Sequence, residues 1–187
     1  MRVNKRLLFG SLAVAIAVVV IVGFIAANSD DASVTLTSAN DLSPTIGTNA
    51  VVTGRTLPNV DIQTLTGDAF STGDLIGKPL IVNFWYSTCA PCKRELPAFA
   101  SVHAKYGDQV RFVGVDTFPP SRDEESFARD RGVQYELLYD PDGELTTAVG
   151  IATSPQTLFI DANGTILEQT GELTAEKLET LIRTNLL

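Results

Sequence analysis

The distribution of hydrophobic and polar residues divides this chain into three parts. Leu7 to Ala27 is a run of 21 residues without a charged side chain. That length suffices for a helix across about 30 Å of hydrocarbon, so residues 1–27 are predicted to form a single transmembrane anchor. Residues 28–49 are rich in Ser, Thr, Asn and Asp and show no sustained period, which predicts a flexible linker. A folded domain is then expected over residues 50–187.

Within the predicted domain, strand and helix patterns alternate. Apolar or alternating runs predict strands, and apolar positions three and four apart predict helices. The strands are expected in a hairpin around Thr66–Asp68, in "PLIVNFWY", "VRFVGVDT" and "YELLYD", and in a second hairpin made by "TLFID" and "TILEQT". The helices are expected from the cysteines to Gly107, from Ser121 toward Gly132, over "GELTTAVG", and from Thr174 to Thr184. This order predicts an α/β fold with helices around a mixed sheet.

Three polar residues in the helical segments have predicted structural roles. Ser121 and Glu124 have the spacing of a capping box, in which each side chain bonds the other residue's backbone N–H. His103 is the only histidine and lies at the edge of an apolar helix face. We predict that it is a half-buried packing residue and not a catalytic one.

Charge indicates how the chain is oriented and which partners it excludes. The formal net charge is −8, and residues 1–27 contribute three positive charges and no negative one, which leaves −11 on the rest. So acidic a surface repels nucleic acid and anionic lipid, and no nucleic-acid partner is expected. The basic residues before the apolar run place the N-terminus in the cytoplasm and the domain outside the cell membrane.

A cleaved signal peptide is the alternative to a membrane anchor. Its apolar region usually spans about 7 to 15 residues and precedes small residues at a cleavage site. The run here is longer, and Phe24 and Ile25 interrupt the small residues near its end. The sequence therefore favours an anchor that is retained.

Both cysteines, Cys89 and Cys92, lie where a predicted buried strand gives way to a helix. A structural disulfide is one interpretation, but so small a loop removes only roughly 2 kcal/mol of unfolded-state entropy. A metal site is another, but zinc needs about four ligands and copper needs further Cys, Met or His ligands. The chain has one histidine and one methionine, so no metal is expected.

Thiol chemistry is the third interpretation of the pair, and the predicted local structure favours it. The first turn of a helix presents free backbone N–H groups and the positive end of the helix dipole, which stabilise a thiolate. Cys89 comes first and is expected to attack, whereas Cys92 lies one turn further in and is expected to resolve the mixed disulfide. Pro91 between them limits the backbone freedom of the loop.

The stretch "FWYSTCAPCKRELP" resembles the active site of the thioredoxin superfamily, with Pro97 as the proline inside the active-site helix. "ATSPQTLFID" resembles the segment that carries the cis-proline facing the dithiol, which would be Pro155. A cis Ser154–Pro155 bond would present a backbone edge to the substrate chain for strand-like pairing during the catalytic exchange. The resemblance is closest to the membrane-anchored TlpA/ResA/CcmG branch of extracytoplasmic thiol-disulfide oxidoreductases. It implies a thioredoxin-like fold whose central mixed sheet carries an N-terminal hairpin and a strand-helix insertion.

The same resemblance implies roles for individual residues. Glu95 matches a buried acid near the dithiol, and we expect it to exchange a proton with Cys92. Asn83 occupies the place where thioredoxins hold a buried aspartate. The redox-active Cys89–Cys92 disulfide is then the only redox group, with no separate cofactor. Four residues are expected to contact the substrate: Thr88, which replaces the family's usual tryptophan, and Trp85, Pro91 and Ser154.

The resemblance also implies a function and its partners. A reductase outside the cell would act on disulfides of exported proteins, such as apocytochrome c or a copper-site protein. It would be recharged by a transmembrane thiol-relaying protein, and we expect it to be a monomer. Three alternatives remain: an oxidase of higher potential, a copper-delivery domain, and a peroxiredoxin-like peroxidase. For the peroxidase, Val82 and Tyr86 stand where the characteristic Pro and Thr are usual.

Overall fold

The computed structural model describes residues 48–187, which fold around one mixed β-sheet. Its strands are β1 (Asp61–Gln63), β2 (Ala69–Ser71), β3 (Leu80–Trp85), β4 (Arg111–Asp116), β5 (Glu136–Tyr139), β6 (Gln156–Ile160) and β7 (Ile166–Thr170). Its α-helices are α1 (Ala90–Tyr106), α2 (Arg122–Arg129), α3 (Glu144–Val149) and α4 (Ala175–Asn185), and a 3₁₀ turn covers Thr72–Leu75.

The strand order across the sheet is β2-β1-β5-β4-β3-β6-β7. The central strands β5, β4 and β3 are parallel, and the two hairpins, β1-β2 and β6-β7, join them in antiparallel fashion at either side. Parallel strands need crossover connections, and the segments containing α1 and α2 supply them. The β3 strand therefore lies inside the sheet and leads directly into the cysteines.

Successive side chains of β3 point to opposite faces of the sheet, which gives the domain two cores. Leu80, Val82 and Phe84 pack on the face that α3 covers. Ile81 and Trp85 pack on the face covered by α1 and α4. Both faces are buried, as expected of a sheet with helices on each side. Asn83 shares the α1 face with Ile81 and Trp85.

The structure confirms the predicted α/β fold with its mixed sheet, both hairpins and four helices. The capping box is only half correct. The Ser121 hydroxyl accepts a 3.1 Å hydrogen bond from the Glu124 N–H, but the Glu124 carboxylate bonds Ser87 instead. His103 is partly buried and packs edge-to-face against Phe112 and Tyr135, as predicted.

The predicted anchor over residues 1–27 lies outside the described residues, as does the predicted linker except for its last two positions. Of the helices in residues 48–187, none is long and apolar enough to cross a membrane. Asn49, assigned above to the linker, is hydrogen-bonded to the backbone of Ala152 and Thr153. The structure therefore places Asn49 on the folded domain.

Candidate active site

Cys89 and Cys92 form a disulfide at the start of α1. Cys89 is the N-cap residue, and its Sγ atom accepts a 3.2 Å hydrogen bond from the N–H of Cys92. Pro91 lies in the first turn, where its lack of an N–H leaves no helical hydrogen bond unmade. Cys89 retains 4% of its accessible surface and Cys92 none, so the first sulfur is the more approachable of the two.

Glu95 is a buried acid one helical turn from Cys92. The buried side chains of α1 recur at Cys92, Leu96 and Phe99, and Glu95 lies on this stripe with only 1% of its surface exposed. Burial raises the pKa of Glu95 to about 7, and hydrogen bonds from Asn83 and the Leu173 N–H oppose that rise. An acid that titrates near neutrality can both accept and return a proton at physiological pH.

The partners of Glu95 come from neighbouring strands. The Asn83 Nδ2 group donates to Glu95 Oε1 at 2.8 Å and to Thr157 Oγ1 at 3.1 Å. Asn83 on β3 and Thr157 on β6 are direct cross-strand partners, which puts both side chains on the α1 face. The N–H of Leu173 donates to Glu95 Oε2 at 3.1 Å. The predicted replacement of a buried aspartate by Asn83 is therefore part of one buried polar network.

The Ser154–Pro155 peptide bond is cis, as the resemblance implied. Gln156 pairs with Phe84 near the end of β3, so Pro155 lies at the edge of the sheet from which the chain continues to Cys89. Asn49 holds the preceding loop, since its Oδ1 accepts from the N–H groups of Ala152 and Thr153 at 2.6 and 2.8 Å. The role of Pro155 in substrate binding stays a prediction.

A cavity of about 410 Å³ opens beside this loop. Its lining residues come from four segments of the chain: Tyr86, Thr117, Thr146, and Ile151 to Ser154. Five of the seven lining residues carry a hydroxyl group, but most of the lining surface is apolar. A cavity of this kind next to a cis-proline loop can receive a side chain of a disulfide-bearing polypeptide.

The four residues predicted to contact the substrate lie in different environments. Ser154 lines the cavity, Thr88 is exposed next to Cys89, and Pro91 is half-buried. The Trp85 side chain has no exposed surface, and its contact with the substrate stays a prediction. Trp85 faces the α1 side of the sheet and stacks on Phe127 of α2 at a centroid distance of 6.0 Å.

Two cations follow the dithiol in α1. Lys93 lies four residues after Cys89 and therefore on the same helix face. Its Nζ atom is 5.6 Å from the ring centroid of Phe127, a cation–π arrangement. Arg94 instead forms a two-point ion pair with Glu172, with both N···O distances at 2.7 Å. Only Lys93 is thus placed to add positive charge on the Cys89 side.

Sequence reasoning missed three contributors to the site: Asn49, Tyr86 and Asp116. Asn49 looked like linker because its partners lie more than 100 residues away in sequence. Asp116 could have been found, because it ends a parallel strand adjacent to the one that leads into Cys89. Polar residues at such strand ends often belong to a site at that edge of the sheet.

Comparison with known proteins places this arrangement in a family. Residues 53–169 match the AhpC/TSA family, a span that includes the dithiol, Glu95 and the cis-proline. The chain belongs to the AhpC/TSA family. Its thioredoxin-like fold and Cys-x-x-Cys disulfide agree with this assignment.

Several proteins that this chain resembles are named for thiol-disulfide chemistry. The thiol-disulfide oxidoreductase ResA of Geobacillus thermodenitrificans is 31% identical over 132 residues, which cover 70% of this chain and 76% of that protein. A secreted Mycobacterium tuberculosis disulfide oxidoreductase homologous to DsbE superposes with a TM-score of 0.59 at 26% identity, covering 67% of this chain and 96% of that one. A thiol:disulfide interchange protein from Chlorobium tepidum gives a TM-score of 0.60 at 25% identity, covering 75% and 100% respectively.

These similarities and the Cys89–Cys92 pair identify the enzyme class. This AhpC/TSA member is a thiol-disulfide oxidoreductase of the ResA and DsbE type. Within residues 48–187, no group of three or more His, Cys, Asp or Glu side chains is placed to hold a metal ion.

Proposed function

We propose that the protein is a membrane-anchored reductase that acts outside the cytoplasm on disulfides of exported proteins. The observation that carries this proposal is the Cys89–Cys92 pair at the start of α1, one turn from the buried Glu95. The charge-free run at the N-terminus supports the anchor, and the basic residues before it support an external domain.

The exchange begins with the reduced dithiol. The Cys89 thiolate attacks one sulfur of the client disulfide, the client S–S bond breaks, and the second client sulfur leaves as a thiolate. Cys92 then transfers its proton to the Glu95 carboxylate and attacks the Cys89 sulfur, which breaks the mixed Cys89–client S–S bond and releases the other client sulfur as a thiolate. The two client thiolates take up one proton from Glu95 and one from solvent, so the client leaves as a dithiol with the two electrons, and Cys89 and Cys92 are left as the disulfide.

Burial explains the division of labour between the two cysteines. Cys92 has no exposed surface, so a client disulfide cannot reach it, whereas Cys89 lies at the surface end of the helix. The positive end of the α1 dipole favours the Cys89 thiolate. Glu95, with a pKa of about 7, is partly ionised at neutral pH and can accept the Cys92 proton.

The direction of exchange determines which electron donor and which client proteins the enzyme needs. The disulfide form must be reduced again after each turnover, and outside the cytoplasm the electrons have to come across the membrane. A transmembrane protein that relays thiols is therefore the proposed donor. The proposed clients are exported proteins whose cysteines must be reduced before a haem or copper site is assembled, with apocytochrome c as the first candidate. The enzyme acts as a monomer.

Trapping of mixed disulfides tests the function. The Cys92→Ser variant of the full-length chain keeps the attacking sulfur but cannot resolve the intermediate. We expect it to accumulate adducts with exported proteins that dithiothreitol releases, and mass spectrometry of the adducts identifies the clients. Cys89→Ser is the matched control and should trap almost nothing. Equal trapping by both variants would contradict the assigned roles.

Location and reaction type need separate measurements. A membrane-impermeant maleimide added to intact cells should label reduced Cys89, whereas labelling only after lysis would contradict an external domain. Rapid consumption of hydrogen peroxide with an ordinary thiol donor would instead indicate a peroxidase. Tight stoichiometric binding of copper to the two thiols would indicate a copper-delivery domain.

A further inference from the structure

A second buried acid lies at the end of β4, the strand that pairs with β3, which leads into the dithiol. Asp116 is the last residue of β4, it pairs with Trp85 across the sheet, and its side chain has no exposed surface. Its Oδ1 atom accepts a 2.8 Å hydrogen bond from the N–H of Phe118. Its Oδ2 atom has no hydrogen-bond donor within residues 48–187. A buried, unpaired carboxylate oxygen is costly, so this atom requires a partner.

Glu124, in the first turn of α2, brings a second carboxyl to this strand end, because it bonds Ser87, two residues beyond Trp85, the register partner of Asp116. Burial raises the pKa of Asp116 to about 8, and hydrogen bonding to Glu124 together with the charge of Glu124 adds to the rise. Two carboxylates in contact cannot both ionise at low cost. One proton held between them supplies the donor that Asp116 Oδ2 otherwise lacks.

Glu124 also holds the turn that leads into Cys89. Its Oε1 atom accepts a 2.6 Å hydrogen bond from the Ser87 hydroxyl, and its Oε2 atom accepts a 3.2 Å bond from the Ser87 N–H. The turn itself is closed by a 3.1 Å hydrogen bond from the Cys89 N–H to the Tyr86 carbonyl. Ser87, which is hydrogen-bonded to Glu124, therefore lies inside the turn that ends at Cys89, the attacking cysteine.

Asp116 is linked to the same turn through its Oδ1 atom, which accepts the hydrogen bond from Phe118. It fixes the backbone of Phe118, and the Phe118 ring packs on Tyr86 at a centroid distance of 5.4 Å. Tyr86 in turn lines the cavity beside the cis-proline loop. Glu124 thus bonds the turn directly through Ser87, whereas Asp116 is linked to the cavity wall through Phe118 and Tyr86.

Other charged or titratable groups near the pair are engaged elsewhere or stay neutral. On α2, Arg129 is paired with Glu125 at 3.3 Å and donates to the carbonyls of Val133 and Tyr135. On β5, burial raises the pKa of Tyr139 to about 12, so its phenol stays neutral in the relevant pH range. No cation contributes to the pKa shift of Asp116.

We propose that Asp116 and Glu124 share one proton, and that this proton fixes the turn leading into Cys89, which makes both acids positioning residues for thiol-disulfide exchange. With the proton in place, Asp116 donates to Glu124, and the Glu124 carboxylate accepts from Ser87. When the proton is lost to solvent, the two anions repel each other. Glu124 is partly exposed and moves away from Asp116, which releases Ser87 and loosens the turn.

The first test measures the proton directly, in the oxidised full-length chain in detergent micelles, where neither cysteine titrates. Carboxyl ¹³C resonances of chains labelled in Asp and Glu are followed from pH 5 to 10. We expect Asp116 to titrate near pH 8. Asp116→Asn, whose amide donates to Glu124 permanently, should abolish this titration, whereas the Glu95 titration near pH 7 should persist. Titration of Asp116 below pH 6 would overturn the proposal.

The second test separates positioning from a structural role through the pH profile. The measurement is kcat/KM of the reduced enzyme with a disulfide-bonded peptide. Above pH 8.5, the kcat/KM of the wild type should fall about tenfold below that of Asp116→Asn. A loss of this size is within the usual cost of misplacing a reacting group. Asp123→Asn, which removes an exposed acid from the same helix turn, is the matched control and should follow the wild-type profile.

An Asp116→Asn pH profile of kcat/KM that is parallel to the wild type over the whole pH range would contradict the proposal. The first test has a second variant, Glu124→Gln, which keeps acceptor and donor atoms beside Ser87 and serves if Asp116→Asn does not fold. Its Asp116 should bind a proton at least about tenfold more weakly than in the wild type. Unchanged proton binding in that variant would overturn the shared proton.

Discussion

The side-chain amide of Asn83 donates a 2.8 Å hydrogen bond to the carboxyl of Glu95, so a neutral group contacts the acid that lies one turn from Cys92. Burial favours the protonated form of Glu95, and the Asn83 amide favours the ionised form. The balance leaves the pKa of Glu95 at about 7, where an acid can serve in both directions of a proton transfer.

The raised pKa of Glu95 makes stability depend on pH. The native acid holds its proton up to about pH 7, whereas an unfolded glutamate loses it near pH 4.5. The native state therefore binds more protons in this window, and the free energy of unfolding falls as pH rises from 4.5 to 7. We expect Glu95→Gln to remove about 3 kcal/mol of this dependence in the oxidised protein.

The measurement is denaturant unfolding of both proteins at several pH values. The difference in unfolding free energy between Glu95→Gln and wild type should change between pH 4.5 and 7 and stay constant above pH 8. A constant difference over the whole range would show that Glu95 titrates normally in the folded protein.

Asn83 should tune the proton affinity of Glu95. Asn83→Ala removes a hydrogen bond to the ionised carboxylate, so Glu95 should hold its proton about tenfold more tightly. Thr157→Val is the matched control, since it removes the other partner of the Asn83 amide without touching Glu95. The Glu95 carboxyl ¹³C titration distinguishes the two, and equal titration curves for both variants would contradict the role of Asn83.

Asn49 should hold the loop before the cis-proline. Asn49→Ala removes the acceptor for the N–H groups of Ala152 and Thr153, which we expect to exchange with solvent about tenfold faster. Asn59→Ala is the control, because the Asn59 side chain accepts from the Gly73 N–H and Ser71 hydroxyl in a different part of the fold. Hydrogen exchange measured by mass spectrometry should show protection lost at 152–153 only in the first variant.

The core beside Trp85 should tolerate no added volume at Gly114. A Cβ atom there would lie 2.8 Å from Leu137 Cδ2 and 3.0 Å from Trp85 Nε1. We expect Gly114→Ala to lower the free energy of unfolding by about 1–3 kcal/mol. In Gly171→Ala the nearest atom would lie at 3.7 Å, so this control should be close to neutral in the same denaturation assay.

Periodicity alone predicts most of this fold. The apolar run of β3, the spacing of apolar residues in α1 and the turn signals of both hairpins are local features, and each element forms where they predict it. The cysteine pair and its place at the start of α1 are equally local. Trp85 is different, since both faces of a central strand are buried, and the sequence of such a strand does not indicate which side chains reach a substrate.

The remaining parts of the site depend on contacts between distant segments. The Glu124 side chain is expected to close a capping box, but the approach of Ser87 offers it two donors at once. Asn49 bonds backbone groups more than 100 residues away in the sequence, so no local pattern indicates its role. The roles of Glu95 and Pro155 were predicted from the resemblance to the thioredoxin superfamily. Spacing alone would have indicated a solvated glutamate and an ordinary loop proline.

The order in which the two thiols react tests the central claim most directly. Reduced full-length protein at pH 7 is treated with a limiting amount of iodoacetamide, and mass spectrometry locates the label. The account predicts that Cys89 is labelled at least about tenfold faster than Cys92, because Cys89 is the more accessible of the two and its thiolate lies at the N-terminus of a helix. Equal labelling of the two, preferential labelling of Cys92, or two inert thiols would contradict the account.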